Sequence, residues 1–422
     1  MNQRAFSKLI FFFATATFVS CASVGSSGHS ANARTPSSGT AFSGALGNLN
    51  WGSDPRSNTP WSANSLQSYI IENPTGDIAI QAQGLVSQAN SDIARGLVIA
   101  PVPALFFTGI LPTDPKHIAS QNAVNQLPHI FGWAVCARLG NPDQASACLN
   151  AVIQAIVGTD SAPGWSKIYQ PTGAPIDESR LIELFLAIDW ILPLLSDNDQ
   201  TSIKNWLTRF VTQGDLVFSE KHANDNTRVN NFNTWRLAIR SIVADVVGDQ
   251  TLKSTNPGLV HQQMKANLLP TPGWSSDPTC TNDLDITSYV SLDFRQRDAL
   301  TYHAFNLKAF SEIGVYTPEN ELPGDHHAIA NAFNFMKPYY LGQKTHIEFV
   351  CSTTPYDQNA CAEGNMNYCR NPWDPSSKLN PINAILLEAR AAFPEIRDWT
   401  TNSVNQKNPV SLMFRAAVEF IP

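Results

Sequence analysis

An arginine and a tyrosine lie close together in the segment DFRQRDALTYH, which covers residues 293–303. Arg295 and Tyr302 are seven residues apart, so a continuous helix would place them two turns apart on the same face. A guanidinium beside a phenol favours the ionised phenolate, and a tyrosine with that support can take or give a proton. The spacing therefore predicts a proton-transfer pair. The alternative is that Arg295 forms an ordinary ion pair and that Tyr302 is a packed side chain.

A second polar segment, RVNNFNTWR at residues 228–236, precedes an apolar helical pattern. Asparagine is a poor residue inside a helix and a good one at its N-terminus. Asn230 and Asn231 therefore either cap the helix or turn their amides toward a ligand. A helix N-terminus exposes backbone N–H groups that favour an anion. If the amides face a ligand, that ligand is therefore expected to carry a negative charge.

The two segments together resemble the alginate-lyase superfamily, polysaccharide lyase family 5 and its relatives. Family 5 has an Asn-Asn-His-x-x-Trp-like stretch and, further along, an Arg seven residues before a Tyr-His pair. Phe232 stands where family 5 has its active-site histidine, and the segments also resemble the related family 38, which acts on glucuronan or alginate. The matching positions are Asn230, Asn231, Trp235, Arg295, Arg297, Ala299, Leu300, Tyr302 and His303.

The resemblance implies β-elimination in a polyuronate. A base removes the C5 proton next to the carboxylate, and an acid protonates the O4 leaving group. The charge that develops on the carboxylate needs amide or guanidinium donors. We expect Tyr302 to carry out both proton transfers, Arg295 to lower the pKa of Tyr302, and Asn231 to bind the carboxylate. The expected substrate contacts are Asn230, Trp235, His303 and, for a neighbouring carboxylate, Arg228.

Phe232 bears on the stereochemistry of this reaction. In β-linked glucuronate or mannuronate, H5 and O4 lie on the same face of the ring, so one tyrosine can serve as base and then as acid. Guluronate has them on opposite faces and needs a second group, often histidine. The sequence therefore predicts syn elimination in glucuronan or mannuronate-rich alginate. His222, on the polar loop before the asparagines, is the first candidate to replace the missing histidine; the others are His303, His326 and His327.

Three long loops rich in proline, glycine and asparagine carry aromatic residues, which are suited to stacking on sugar rings or to packing the loops onto the fold. These aromatics are Trp165, Tyr169, Trp274, Tyr356, Tyr368 and Trp373. The first loop, GWSKIYQPTG, combines aromatic, basic and amide side chains. Its expected polyuronate contacts are Trp165, Lys167, Tyr169 and Gln170.

Helical periodicity dominates the chain from about residue 62, and strand patterns are scarce. Helices are predicted over 179–195, 201–211, 235–248 and 295–314, with Asp177 as an N-cap and Gly248 and Gly314 as C-terminal signals. Short links between many helices predict an all-α fold of stacked helical hairpins closed into an α/α barrel, or toroid, with long functional loops. An open solenoid is the rival, although no fixed repeat period occurs.

The N-terminal segment is typical of export. A basic start and the apolar run from Leu9 to Val19 predict a signal peptide over residues 1–22, followed by a flexible leader over 23–45 and one lyase domain over 46–422. Cleavage before Cys21 would instead give an outer-membrane lipoprotein. Either reading places the protein in the periplasm or outside the cell, with no membrane span.

Six cysteines remain without Cys21, and an even number in an exported chain predicts disulfides. Cys136 and Cys148 flank a short turn between two helices and are expected to pair. The other connectivities stay open. A zinc site is the alternative for Cys361 and Cys369, although their spacing does not fit a tight zinc knuckle.

The formal net charge of −7 argues against a nucleic-acid partner and leaves an acidic polysaccharide as the expected one. No metal or other cofactor is required, because Asn, Arg and Tyr can neutralise the reacting group. Two other functions stay open: a non-catalytic carbohydrate-binding protein, and a glycoside hydrolase, which would need two carboxylates across the scissile bond. The candidate carboxylates are Asp177, Asp189, Asp283, Asp285 and Asp293.

Overall fold

The structure is a computed structural model of the chain, and it describes residues 63–223, 225–270, 289–317, 322, 324–364, 368–376 and 382–400. The predicted signal peptide and leader lie outside the described residues, as do Trp274, Cys280, Asp283 and Asp285. The side chain of His326 also lies outside them.

Helices make up almost all of the regular structure in this part of the chain. They are α1 (Ala63–Glu72), α2 (Asp77–Ala94), α3 (Pro115–Val124), α4 (Leu127–Leu139), α5 (Pro142–Ile156), α6 (Trp165–Ile168), α7 (Pro175–Glu178), α8 (Ile182–Ile191), α9 (Asp197–Lys221), α10 (Asn231–Val247), α11 (Gln250–Asn267), α12 (Leu292–Arg297), α13 (Leu300–Tyr316), α14 (Asp325–Tyr340), α15 (Pro355–Ala362) and α16 (Ile382–Ala392). Two short strands, β1 (Leu268–Pro270) and β2 (Tyr289–Ser291), pair antiparallel. The all-α prediction is confirmed.

The helices stack as hairpins around two central members. Helix α4 packs against α2, α5 and α8, and α10 packs against α9, α11 and α13. Helix α13 in turn lies against α14 and α16. Strand β1 follows α11, and strand β2 leads into α12. Their pairing brings the segment after the asparagine helices back beside the segment that continues to Tyr302.

Local sequence signals set several helix ends. Asn141 and Gln144 form a reciprocal capping box at the start of α5. Gly248 ends α10 with a φ of 69°, as predicted. The prediction for Gly314 is wrong, because this residue lies inside α13, where an added Cβ would come within 2.7 Å of the Phe393 ring. Gly314 therefore permits the close approach of α13 to the residues after α16.

The prediction for Asp177 is also wrong. It lies within α7, and the predicted helix over 179–195 is shorter, because 3-10 turns flank α8 on both sides. The Asp177 carboxylate accepts hydrogen bonds from the backbone N–H groups of Phe107 and Thr108. It therefore holds the connection between α2 and α3 rather than starting a helix.

Disulfides bind the fold at two places that the structure describes. The predicted Cys136–Cys148 bond links α4 to α5. Cys361 and Cys369 are also joined as a disulfide, so the zinc alternative at these two residues is wrong. Cys351 is disulfide-bonded too, and its partner lies outside the described residues. The bonds fit an exported protein. None of the helices described is long and apolar enough to cross a membrane.

A buried charge cluster lies between α13 and α16. The Lys308 ammonium is 2.9 Å from a Glu388 oxygen and 3.4 Å from a Glu312 oxygen. Burial, followed by repulsion from Glu388, raises the pKa of Glu312 to about 8. Tyr316, one turn further along α13, shares this environment with Asp189 and Asp245. Lys308 therefore stabilises one carboxylate, while the second acid keeps its proton in the folded state.

We predict that Glu312→Gln flattens the pH dependence of stability. The folded chain holds a proton that the unfolded chain releases above about pH 4.5, so the free energy of unfolding of the native protein should fall as pH rises from about 5 to about 8. Urea unfolding across this range measures the slope. Glu220→Gln, at an exposed site on α9, is the matched control. Equal slopes for Glu312→Gln and the native chain would contradict the assignment.

Candidate functional site

A break in the chain separates the two residues of the predicted proton-transfer pair. Arg295 lies in α12 and Tyr302 in α13, and Asp298 between them has a φ of 52°. The Asp298 N–H closes α12 on the carbonyl of Phe294 at 2.6 Å, and its carboxylate accepts from the N–H of Cys351 at 2.8 Å. Since no continuous helix runs from Arg295 to Tyr302, the prediction that they share one helical face is wrong.

A different arginine packs on the tyrosine. The Arg297 guanidinium lies 3.8 Å from the centre of the Tyr302 ring and 5.6 Å from that of Tyr368. Its Nε and Nη2 form a two-point ion pair with Asp357 on α15. Ser352 also donates to Asp357. Arg297 is therefore held as a fixed, paired cation on the face of Tyr302.

Tyr302 lies in a small aromatic cluster and exposes 6% of its surface. Its hydroxyl donates to the Tyr368 hydroxyl at 3.4 Å, and Phe349 packs edge-on against its ring. Burial raises the pKa of Tyr302 well above its usual value, and Arg297 opposes this rise. The predicted pKa-lowering role of Arg295 is thus wrong on two points: Arg297 is the cation that lowers the pKa, and burial outweighs it.

The asparagine segment forms the start of α10, and its two asparagines behave differently. The Asn230 side chain accepts from the N–H of Phe232 at 2.9 Å and caps the helix. Asn231 is 2% exposed, and its side-chain Nδ2 has no hydrogen-bond partner among the described residues. A buried amide donor left unpaired costs free energy, so it needs an explanation. Capping therefore accounts for Asn230 and leaves the Asn231 side chain available to a ligand.

A polar network connects Asn231 to the segment that carries the arginines. Asp293, at the start of α12, accepts from the backbone N–H of Asn231 and from the Asn267 amide. Asn267 accepts in turn from Asn306 at 2.7 Å, and its carbonyl accepts from Arg295 at 3.4 Å. Burial raises the pKa of Asp293 to about 6. The two sequence segments that were predicted to act together are therefore brought together.

A solved protein has a similar fold. An alginate lyase from Bacteroides ovatus superimposes with a TM-score of 0.51 over 85% of this chain and 99% of its own, at 13% sequence identity. The chain has an alginate lyase-like fold. The predicted α/α barrel is confirmed, and the open solenoid is not the architecture. No protein-family profile matches the chain, and no curated protein matches it in sequence.

His303 is part of the core of this lyase-like fold. It is fully buried, its Nδ1 accepts from the N–H of Ser291, and its Nε2 donates to the carbonyl of Ala332. Burial lowers the pKa of His303 to about 4. The predicted substrate contact is therefore wrong: this histidine is a neutral side chain that ties α13 to β2 and α14.

The loop GWSKIYQPTG divides into buried and exposed residues. Trp165 and Tyr169 are fully buried, and the Tyr169 ring stacks on Phe210. They therefore pack the core of the lyase-like barrel, and the predicted sugar contacts at these two residues are wrong. Lys167 and Gln170 are exposed, with Lys167 paired to Asp160 at 3.2 Å.

Trp235 is buried inside α10 with its ring 5.3 Å from that of Phe305. The Trp235 indole therefore lies within the core, and its predicted contact with substrate stays a prediction. Among the loop aromatics, Trp373 is buried as well.

His222 and Arg228 flank the asparagine segment. The His222 Nδ1 lies 2.9 Å from the Asp225 carboxylate, and its ring centre lies 6.1 Å from that of Phe232. Asp225 therefore orients this buried imidazole, in the manner of a base held by a carboxylate. Arg228 is exposed and donates to the carbonyl of Ser219. The roles predicted for both residues stay predictions. His327 is exposed at the start of α14.

Two residues of the site had no predicted role in the chemistry, Arg297 and Asp357. Arg297 belongs to the segment that resembles the lyase families. It lies five residues before Tyr302, a spacing that places the two side chains on different faces of a continuous helix, so only a break in the helix brings them together. For Tyr368 the sequence left sugar stacking and loop packing open, and the structure shows packing, because this residue is buried against Tyr302. Its position next to the disulfide residue Cys369 is the sequence signal that it is held in place.

We predict that Asp298→Ala lowers the free energy of unfolding by about 1–3 kcal/mol, because alanine is strained at positive φ and cannot accept from Cys351. Asp298→Asn keeps an acceptor oxygen and a side chain that tolerates this conformation, so its loss should stay below about 1 kcal/mol. Urea unfolding of the two variants measures the difference. Equal losses would show that the backbone break does not depend on the residue at 298.

Proposed function

We propose that this protein is a polysaccharide lyase that cleaves a β-1,4-linked polyuronate, glucuronan or mannuronate-rich alginate, by syn β-elimination. The observation that carries the proposal is the buried, unpaired amide of Asn231, which the Asp293 network joins to the segment bearing Arg295, Arg297 and Tyr302. The lyase-like fold supports the reaction class. An acidic polysaccharide is the partner, and no metal or other cofactor is assigned.

Carboxylate recognition is the role of the α10 N-terminus. The Asn231 Nδ2 donates to the uronate carboxylate, and the positive end of the helix dipole favours the charge that grows there during C5 deprotonation. Arg295 contributes a second donor from α12. Asn230 keeps the helix start in place and is not assigned to the substrate, since its side chain is engaged as the cap.

Proton transfer is assigned to Tyr302. As phenolate it takes the proton from C5, and as phenol it then gives that proton to O4 as the glycosidic bond breaks. Both atoms lie on the same face in the proposed substrates, so one hydroxyl suffices and Phe232 is compatible with the reaction. Because burial raises the pKa of Tyr302 while Arg297 lowers it, the phenolate is scarce at neutral pH and the rate should rise toward alkaline pH.

The two alternatives receive less support. In a hydrolase two carboxylates face the scissile bond, whereas Asp177 and Asp293 accept hydrogen bonds from backbone N–H groups of the fold. Asp189 lies in α8 within the core charge environment of Tyr316. A non-catalytic binding protein would not need the arrangement of Arg297, Asp357 and Tyr302.

The first test is ultraviolet absorbance during incubation with glucuronan, polymannuronate and polyguluronate. Absorbance should rise with glucuronan or with polymannuronate. The initial rate of this rise should be at least about 10³-fold lower for Tyr302→Phe, because the general acid–base group is gone. Tyr340→Phe, on α14 against Trp399, is the matched control and should keep full activity. An equal rate of absorbance increase on polyguluronate would contradict syn elimination. No absorbance increase on any of the three polymers would contradict the lyase proposal.

The second test separates the two asparagines. Asn231→Asp replaces the amide donor with a negative charge, so kcat/KM on the preferred polymer should fall by at least about 10²-fold. Asn230→Ser keeps an N-cap acceptor and should change kcat/KM by less than about threefold. The same loss for both variants would mean that Asn231 acts only through the stability of α10.

A further inference from the structure

Three tyrosines form a continuous series between the buried site and the surface. We call Tyr302, Tyr368 and Tyr356 the tyrosine series. The Tyr302 hydroxyl donates to that of Tyr368 at 3.4 Å, and Tyr356 shares a side-chain hydrogen bond with Tyr368. The Tyr356 and Tyr368 rings meet edge to face at 5.3 Å. Tyr302 and Tyr368 are buried, whereas Tyr356 is partly exposed. The three hydroxyls therefore lead from the buried Tyr302 to a side chain that is partly exposed.

The surroundings hold this series in one geometry. Arg297 lies over the rings of both Tyr302 and Tyr368. Its ion-pair partner Asp357 follows Tyr356 directly in α15. The disulfide between Cys361 and Cys369 ties the residue after Tyr368 to the end of the same helix. Tyr302 and Tyr368 are thus fixed by the Arg297 guanidinium, and Tyr356 lies in the helix that the ion pair and the disulfide hold.

We infer that Tyr368 and Tyr356 form a proton-transfer chain that connects the Tyr302 hydroxyl with solvent and prepares the Tyr302 phenolate. A hydroxyl both donates and accepts, so a proton can pass along the series. The Tyr302 proton moves to the Tyr368 oxygen, the Tyr368 proton to the Tyr356 oxygen, and the Tyr356 proton to hydroxide, which becomes water. Tyr302 is left as phenolate, with the Arg297 guanidinium over its ring.

The proton-transfer chain gives a buried hydroxyl a route to solvent. Tyr302 must lose a proton before it can act as a base, yet only 6% of its surface is exposed to the water that would take the proton. A polymer bound over Tyr302 would also remove water from its exposed edge. The charged groups around the series are Arg297 and Asp357, and Arg297 lowers the pKa of both Tyr302 and Tyr356. The catalytic use of the chain rests on the proposed lyase function, whereas the proton path itself does not.

The test follows the exchange of the Tyr302 hydroxyl proton with solvent, which needs no substrate. Protein labelled with ¹³C at the tyrosine ζ carbon is placed in mixed H₂O and D₂O, and the isotope shift of each ζ carbon reports its exchange rate by NMR. Tyr302→Phe assigns the signal. Tyr368→Phe should slow exchange at Tyr302 by at least about tenfold, because the next hydroxyl is removed. Tyr356→Phe should slow it less, and Tyr340→Phe should leave it unchanged.

The outcomes separate the two proposals. Unchanged exchange at Tyr302 in both Tyr368→Phe and Tyr356→Phe overturns the chain, whatever the activity of the protein. If exchange at Tyr302 is slowed in these variants but the protein cleaves no polyuronate, the proton-transfer chain is supported and the lyase function is contradicted. In an active lyase, Tyr368→Phe should lower kcat/KM more at neutral than at alkaline pH, whereas a purely structural role would lower it equally at both.

Discussion

The ion pair between Arg297 and Asp357 is the interaction on which the arrangement of the site depends. Asp357 is buried and Arg297 is largely enclosed, with 1% and 12% of their side chains exposed, and each charge would be costly alone because its partner would no longer compensate it. Together they fix the guanidinium over the Tyr302 ring, where a largely desolvated cation–π contact contributes about 2 kcal/mol. The pair also joins α12 to α15, so Tyr302 and its neighbours are held by contacts from distant parts of the chain.

The break at Asp298 makes this contact possible. A continuous helix would have carried Arg297 around the helix away from Tyr302, whereas the left-handed residue redirects the chain and lets the guanidinium fold back over the ring. The segment after α14 then covers the break: the N–H of Phe349 bonds the Asp298 carbonyl, and a Glu348 oxygen accepts from the N–H of Thr301. A backbone conformation that is uncommon for aspartate is thus held by hydrogen bonds from another segment.

On the other side of the site, Asp293 performs the corresponding task for Asn231. Its carboxylate satisfies the backbone N–H of Asn231, which leaves the Asn231 side chain to point elsewhere. A raised pKa at Asp293 follows from this burial. In the proposed reaction, the binding and proton-transfer groups are therefore positioned by two buried acids, Asp293 and Asp357, that the reaction does not itself consume.

Helix type could be predicted from the sequence, because periodicity and capping are local. Tyr302 could be singled out because the motif residues are close in the chain, and its role as the reacting tyrosine stays a prediction. The Cys136–Cys148 bond was predictable for the same reason. The partner of Tyr302 was not, since the left-handed conformation of Asp298 depends on Cys351, more than fifty residues away. Trp165, Tyr169 and His303 carry side chains suited to sugar binding, and only tertiary packing reveals that they are core residues.

Mass spectrometry of the oligosaccharides released from polymannuronate and glucuronan distinguishes elimination at a uronate from hydrolysis, because an elimination product is one water molecule lighter than the corresponding hydrolysis product. We expect every new non-reducing end to carry this loss and Tyr302→Phe to release none of these products. Products of full hydrolytic mass would rule out elimination and would place the chemistry in a pair of carboxylates instead.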